Sequence, residues 1–239
     1  MKGRAVGRLD HMPRQARVAP GGTIFHVLNR SAGTAPLFRK QAEYAAFEQV
    51  MLEAQEIRPT RILGWCLMKN HWHLVIWPKK DGELTAFVRW MSHTHAVRCH
   101  AATGTAGDGR LYQGRYRSFP VEAAEAWTVL RFVERNALTA GAVKSAQDWR
   151  WGSLWARRHP EAACHGLLSD ALGTPPQGWV RSVNAAVDEK ELEKFRLSVQ
   201  RGRPFGSDRW QVKACRKWGM EHTMRPRGRP RGSTKKKSK

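Results

Sequence analysis

Two apolar runs, RILGWCLM at 61–68 and WHLVIW at 72–77, are separated only by Lys69, Asn70 and His71. Runs of this length with so short a connection pair as a β-hairpin, and the rest of the chain has to be arranged around it. Upstream, TIFHVLNR at 23–30 is rich in β-formers. Tyr44, Phe47, Met51 and Ala54 then recur at helical spacing within 37–57. Downstream, Leu84, Phe87, Val88 and Met91 restore the helical period. A glycine-rich loop at 102–110 leads into LYQGRYRSFPV at 111–121, read as a strand, and a helix is expected over 123–136. The resulting order, β-α-β-β-α-β-α, fits an α+β fold. Its expected form is a ferredoxin-like antiparallel sheet with helices on one face, leaving the other free for an active site or for nucleic acid.

With 239 residues the chain can bury one core of ordinary domain size and carry an extension. The expected divisions are a domain over 13–155, a helical extension over 156–222 and a basic tail over 223–239. Lysine and arginine number 42 against 20 acids, a net charge of +22. Such a surface repels itself unless a polyanion neutralises it, which makes nucleic acid the expected partner. No apolar run approaches the roughly 20 residues of a spanning helix, and the basic start has no apolar stretch after it, so a cytoplasmic protein is expected. Cys66, Cys99, Cys164 and Cys215 lie far apart with no CxxC pair, which argues against a zinc knuckle and a disulfide framework.

The residues with chemistry in them are histidines. On a strand, the period of two sends His71 and His73 to one face, where they can share a metal ion or satisfy structural hydrogen bonds. His93 and His95 have the same spacing within a helical pattern, where residues two apart diverge by about 200°, so that pair cannot chelate.

MKNHWHLVIWP at 68–78 resembles the HUH segment of the REP-associated tyrosine transposases, single-tyrosine HUH enzymes of the IS200-like family. PGGTIFHVLNR resembles their first strand and LYQGRYRSFPV their strand before the nucleophile helix. RFVERNALTAGAV followed by DWRWGSL resembles the helix and tryptophan motif after it, so the likeness runs over about 13–155 in consistent order. RPFGSDRW and RPRGRPRG resemble the C-terminal extension of some members. The resemblance implies metal-dependent cleavage and rejoining of single-stranded or hairpin DNA through a 5′-phosphotyrosine, with Mg²⁺ or Mn²⁺ and no ATP. It further implies His71, His73 and Asn136 as metal ligands and Phe132 at the position of the nucleophile, in a monomer or a homodimer.

Phenylalanine lacks the oxygen that would form the phosphoester, so this chain is expected not to make the covalent intermediate. Phe132 reads as an engineered Tyr→Phe replacement, as the mark of a natural cleavage-dead relative, or as a core aromatic of its helix. Two other classes of function remain open: a pure DNA-binding module, and a metal-dependent phosphodiesterase that uses water. For DNA contacts the sequence offers Arg110, Arg115 and Arg117 interleaved with Tyr112 and Tyr116, a mixture that suits phosphates and stacked bases as well as a solvated strand. Lys69 and Asn70 can position a phosphate or simply form the turn. Arg225, Arg227 and Arg229 lie in a tail whose PRGRPRG resembles an AT-hook core. Ser207 can cap a basic helix carrying Trp210, Lys213, Arg216 and Lys217.

Overall fold

The computed structural model describes residues 19–105 and 109–225. Arg227 and Arg229 lie outside the described residues, as do the first residues of the expected 13–155 division.

Strands β1 (Ile24–Arg30), β2 (Arg61–Met68), β3 (His71–Trp77) and β4 (Arg117–Val121) form one antiparallel sheet in the order β2-β3-β1-β4. The expected hairpin is β2-β3, turning at Lys69 and Asn70. Helices α1 (Gln41–Ile57) and α2 (Glu83–Thr103) link β1 to β2 and β3 to β4, which is the expected α+β arrangement. Both lie on one face, where Phe47, Met51, Phe87 and Val88 pack against Phe25, Val27, Trp72, Leu74 and Ile76. These strand residues alternate along β1 and β3, the pattern of a sheet with one apolar face.

The opposite face is not bare. Helix α3 (Ala126–Glu134), followed by the single turn α4 (Asn136–Thr139), covers β2 with Val129, Leu130 and Val133. Gly64, at a bulge in the β2–β3 register, makes the approach possible, since a Cβ there would lie 2.6 Å from Leu130 Cδ2 and 2.8 Å from Ser153 Oγ. Buried Glu134 anchors the end of α3. Its carboxylate accepts from Ser153 Oγ at 2.6 Å, Trp179 Nε1 at 2.7 Å and Arg157 Nε at 3.1 Å.

Beyond α5 (Ser153–Arg158) come helices α6 (Trp179–Asn184), α7 (Glu189–Arg201) and α8 (Asp208–Trp218). Asp188 caps α7, and the Ser207 hydroxyl accepts from the Trp210 amide at 3.4 Å as the expected cap of α8. The boundary expected at 155/156 does not interrupt the core. Cys164 and Leu167 join the α1 side, while Trp179, Val183, Phe195 and Phe205 join α3. Both free edges of the sheet are also occupied: Gly152 bridges Cys66 on β2, and Phe205 bridges Val121 on β4. The four cysteines are unpaired. Among the described residues no helix is long and apolar enough to cross a membrane.

Candidate functional site

The second face of the sheet carries the polar half of the strand alternation. On β3 it presents His71, His73 and Val75; on β1, Ile24, His26, Leu28 and Arg30. The antiparallel register sets Arg30 opposite His71 and Leu28 opposite His73. The His71 and His73 rings lie 4.9 Å apart and nearly perpendicular, so strand geometry brings the pair together as its spacing predicts. His93 is exposed, while His95 is buried beside Tyr112, so the helical pair diverges as expected.

Each strand imidazole is held through Nδ1. His71 Nδ1 lies 2.7 Å from Asn70 Oδ1, and His73 Nδ1 lies 2.8 Å from Nε2 of His26. Burial pushes the His71 pKa down to about 4, helped by Arg30, and that of His26 down to about 3, helped by Arg117. His73 falls well below the ordinary value through burial, with His26 and His71 adding to the effect. All three rings are therefore neutral near pH 7, the state in which imidazole offers a lone pair to a metal. Among the described residues no group of three or more His, Cys, Asp or Glu side chains converges to hold an ion. A cation between His71 and His73 would need further ligands of another kind.

A cleft of about 520 Å³ opens beside the pair, lined by Arg30, Asn70, His71, His73, Arg115 and Arg117 among others. Arg30, Arg115 and Arg117 are exposed, and Arg117 also donates to the Gln200 carbonyl of α7 at 3.1 Å. Lys69 and Arg110 are exposed but lie outside the lining, and Arg225 is exposed at the end of the described chain.

The tyrosines depart from expectation. Tyr112 and Tyr116 are 8% and 7% exposed and belong to the α1/α2 core, so neither presents a face to a base. The regular strand begins only at Arg117, and the segment before it is irregular, tied by a bridge between Ser31 and Tyr112. Both tyrosines turn into the core there, while Arg115 and Arg117 stay exposed. Tyr112 OH accepts from Trp72 Nε1 at 3.2 Å and lies 2.7 Å from His95 Nδ1, while Tyr116 OH donates to Thr85 Oγ1 at 3.3 Å.

Phe132 is 6% exposed and stacks on Phe195 of α7, with centroids 4.2 Å apart and planes 15° apart. Phe195 in turn stacks on His26, and His26 on His73. A column of four rings thus runs from position 132 to the histidine pair. Asn136 begins α4 one turn after Phe132 and donates from Nδ2 to the Phe132 carbonyl at 3.0 Å; its side-chain hydrogen bonds run back into α3 and not to the histidines. Sequence reasoning missed His26, Arg30 and Phe195. The first two were legible as same-parity polar residues of β1; Phe195 was not, because the docking of α7 is not encoded locally.

Residues 22–136, which span the whole sheet, α1 to α3 and the first residue of α4, match the family described as Transposase IS200 like. A REP-associated tyrosine transposase solved bound to a REP hairpin aligns with 74% of this chain and 93% of its own, at 18% identity and a TM-score of 0.48. No curated protein matches the sequence.

Proposed function

We propose that this chain is an IS200-like transposase relative that binds REP-type single-stranded DNA hairpins and has lost its covalent chemistry. The observation that carries the reading is the pair of imidazoles lining a cleft flanked by three exposed arginines. The guanidinium groups would receive phosphate oxygens, and a divalent ion held at the imidazoles would supply Lewis-acid polarisation of a phosphate. His71 and His73 would hold that ion. Asn136 is the third ligand that the family likeness implies, through its amide oxygen, while its Nδ2 is held by the Phe132 carbonyl. Two imidazole nitrogens suit Mn²⁺ better than Mg²⁺, which favours an all-oxygen shell. Position 132 offers a packed phenyl ring with no oxygen to attack phosphorus. Arg225, exposed at the end of the described residues, and the basic residues that follow it in sequence would add phosphate contacts.

The test incubates labelled hairpin DNA and Mn²⁺ with the unsubstituted chain, with Phe132→Tyr, and with Phe132→Tyr/His71→Ala. Binding is read by fluorescence anisotropy and cleavage on a denaturing gel. All three should bind, and only Phe132→Tyr should cut and become covalently labelled. If nothing cuts while all bind, the assigned cleavage chemistry fails and a binding module remains. Cutting by the unsubstituted chain without an adduct would replace the tyrosine mechanism with hydrolysis by water.

A further inference from the structure

We infer that His26 is the positioning residue of the histidine pair: its Nε2 accepts the Nδ1–H of His73, fixing the ring and tautomer that turn His73 Nε2 toward a divalent cation. The inference rests on the reading of His71 and His73 as metal ligands.

Three observations carry it. The contact is short, 2.8 Å between ring nitrogens, and joins two residues that are 2% and 8% exposed, so no bulk water competes for either atom. The His26 ring is wedged in place, stacked on His73 at 5.0 Å and on Phe195 at 5.3 Å, with Phe119 at 5.7 Å. The third observation is the parallel with the neighbouring ring. His71 carries Asn70 Oδ1 at its Nδ1, and an amide oxygen can only accept, so His71 holds its proton on Nδ1 and keeps Nε2 open.

His73 has no amide partner, and its tautomer depends on which way the bond to His26 runs. If His26 donated, the His73 proton would sit on Nε2 and no lone pair would face the cleft. If His26 accepts, both ligand rings offer Nε2, and His26 serves His73 as Asn70 serves His71. Such a partner on the far nitrogen orients a ligand ring and raises its basicity, and losing one costs metal affinity about 10–100-fold. A neutral acceptor also adds no negative charge beside a site meant for phosphate.

The experiment titrates the full chain with Mn²⁺, reading the free aquo ion by electron paramagnetic resonance, for the unsubstituted protein, His26→Leu, His26→Gln and His71→Ala. His71→Ala should abolish specific uptake. His26→Leu should weaken it by about 10–100-fold, and His26→Gln, whose Oε1 accepts from the same direction, should restore most of the loss. Unchanged affinity in His26→Leu, with uptake lost in His71→Ala, overturns the role of His26 while leaving the metal reading intact. Absence of uptake by the unsubstituted protein overturns both. A second measurement needs no variant: long-range ¹H–¹⁵N spectra with Zn²⁺ as a diamagnetic probe should show His73 protonated at Nδ1 and bare at Nε2. A proton on Nε2 of bound His73 overturns the inference even if the leucine variant fails to fold.

Discussion

The two faces of this sheet are built from the same strands and used for opposite ends. On the α1/α2 side, Trp72 and Tyr112 meet His95 in a closed relay. The indole N–H donates to the phenol oxygen, the phenol proton faces His95 Nδ1, and His95 Nε2 lies 3.1 Å from Cys99 Sγ. Every polar atom in that chain has a protein partner, as a core requires. One residue along on either side, His71 and His73 also have their Nδ1 atoms satisfied, but they flank an open cleft. A histidine that ends its hydrogen bonds inside the protein is structure; one that keeps a nitrogen toward a charged cleft is equipped for chemistry. Period-two alternation divides the two roles within three consecutive residues.

Substitutions at adjacent positions should break that contrast most visibly. Trp72→Ala removes the fully buried indole from the first face and leaves the Tyr112 hydroxyl short of a partner. It should cost about 3–5 kcal/mol in urea unfolding. His73→Ala strips only a small imidazole from the second face and should cost about 1–3 kcal/mol, chiefly by leaving His26 unpaired. Equal losses would mean that the second face is core as much as the first.

Acid should weaken the fold, and unequally between the faces. The unfolded histidines titrate near 6.5, whereas His71 and His95 are held down to about 4, His26 to about 3 and His73 well below its usual value. The unfolded chain therefore takes up protons first. Stability from these rings is complete above pH 6.5 and drains as pH falls toward 4, by up to about 1.4 kcal/mol per pH unit for each ring. Urea midpoints measured without divalent metal between pH 7 and pH 5 should drop steeply. Since three of the four rings lie on the second face, His95→Gln should leave most of that slope in place. A pH-independent midpoint would contradict the burial of the imidazoles.

The smallest effect concerns the extension. Ser207→Ala removes the cap that receives the Trp210 amide at the start of α8 and should cost about 1 kcal/mol of thermal stability. If Phe205 ties this region to the sheet as the β4 bridge indicates, the loss should appear in a single cooperative transition. A separate early transition would mark 156–222 as an independent unit.

Much of this was legible in local pattern. The hairpin, the two long helices and the cap at Ser207 follow from periodicity and turn chemistry, because each depends on residues within a turn or two of one another. His71 and His73 were legible as a pair for the same reason. Tyr112 and Tyr116 read as possible base-stacking residues from their place among arginines, and only the packing of this segment against α1 and α2 shows that they are core. His26 carried a readable signal, a histidine at every-second-residue spacing from Ile24 and Arg30, but its meaning depended on β1 lying beside β3.

By itself, then, the sequence determined the strand-and-helix order, the parity that groups His71 with His73, the absence of a hydroxyl at position 132 and the excess of positive charge. Tertiary structure alone decided that β1 sits between β3 and β4, that His26 meets His73, and that α7 brings Phe195 onto Phe132. The reason is physical. Alternation and helical period are set by backbone geometry over a few residues, whereas ring stacking and hydrogen bonding across 47 positions of chain, as between His26 and His73, exist only once non-local burial has brought the strands side by side.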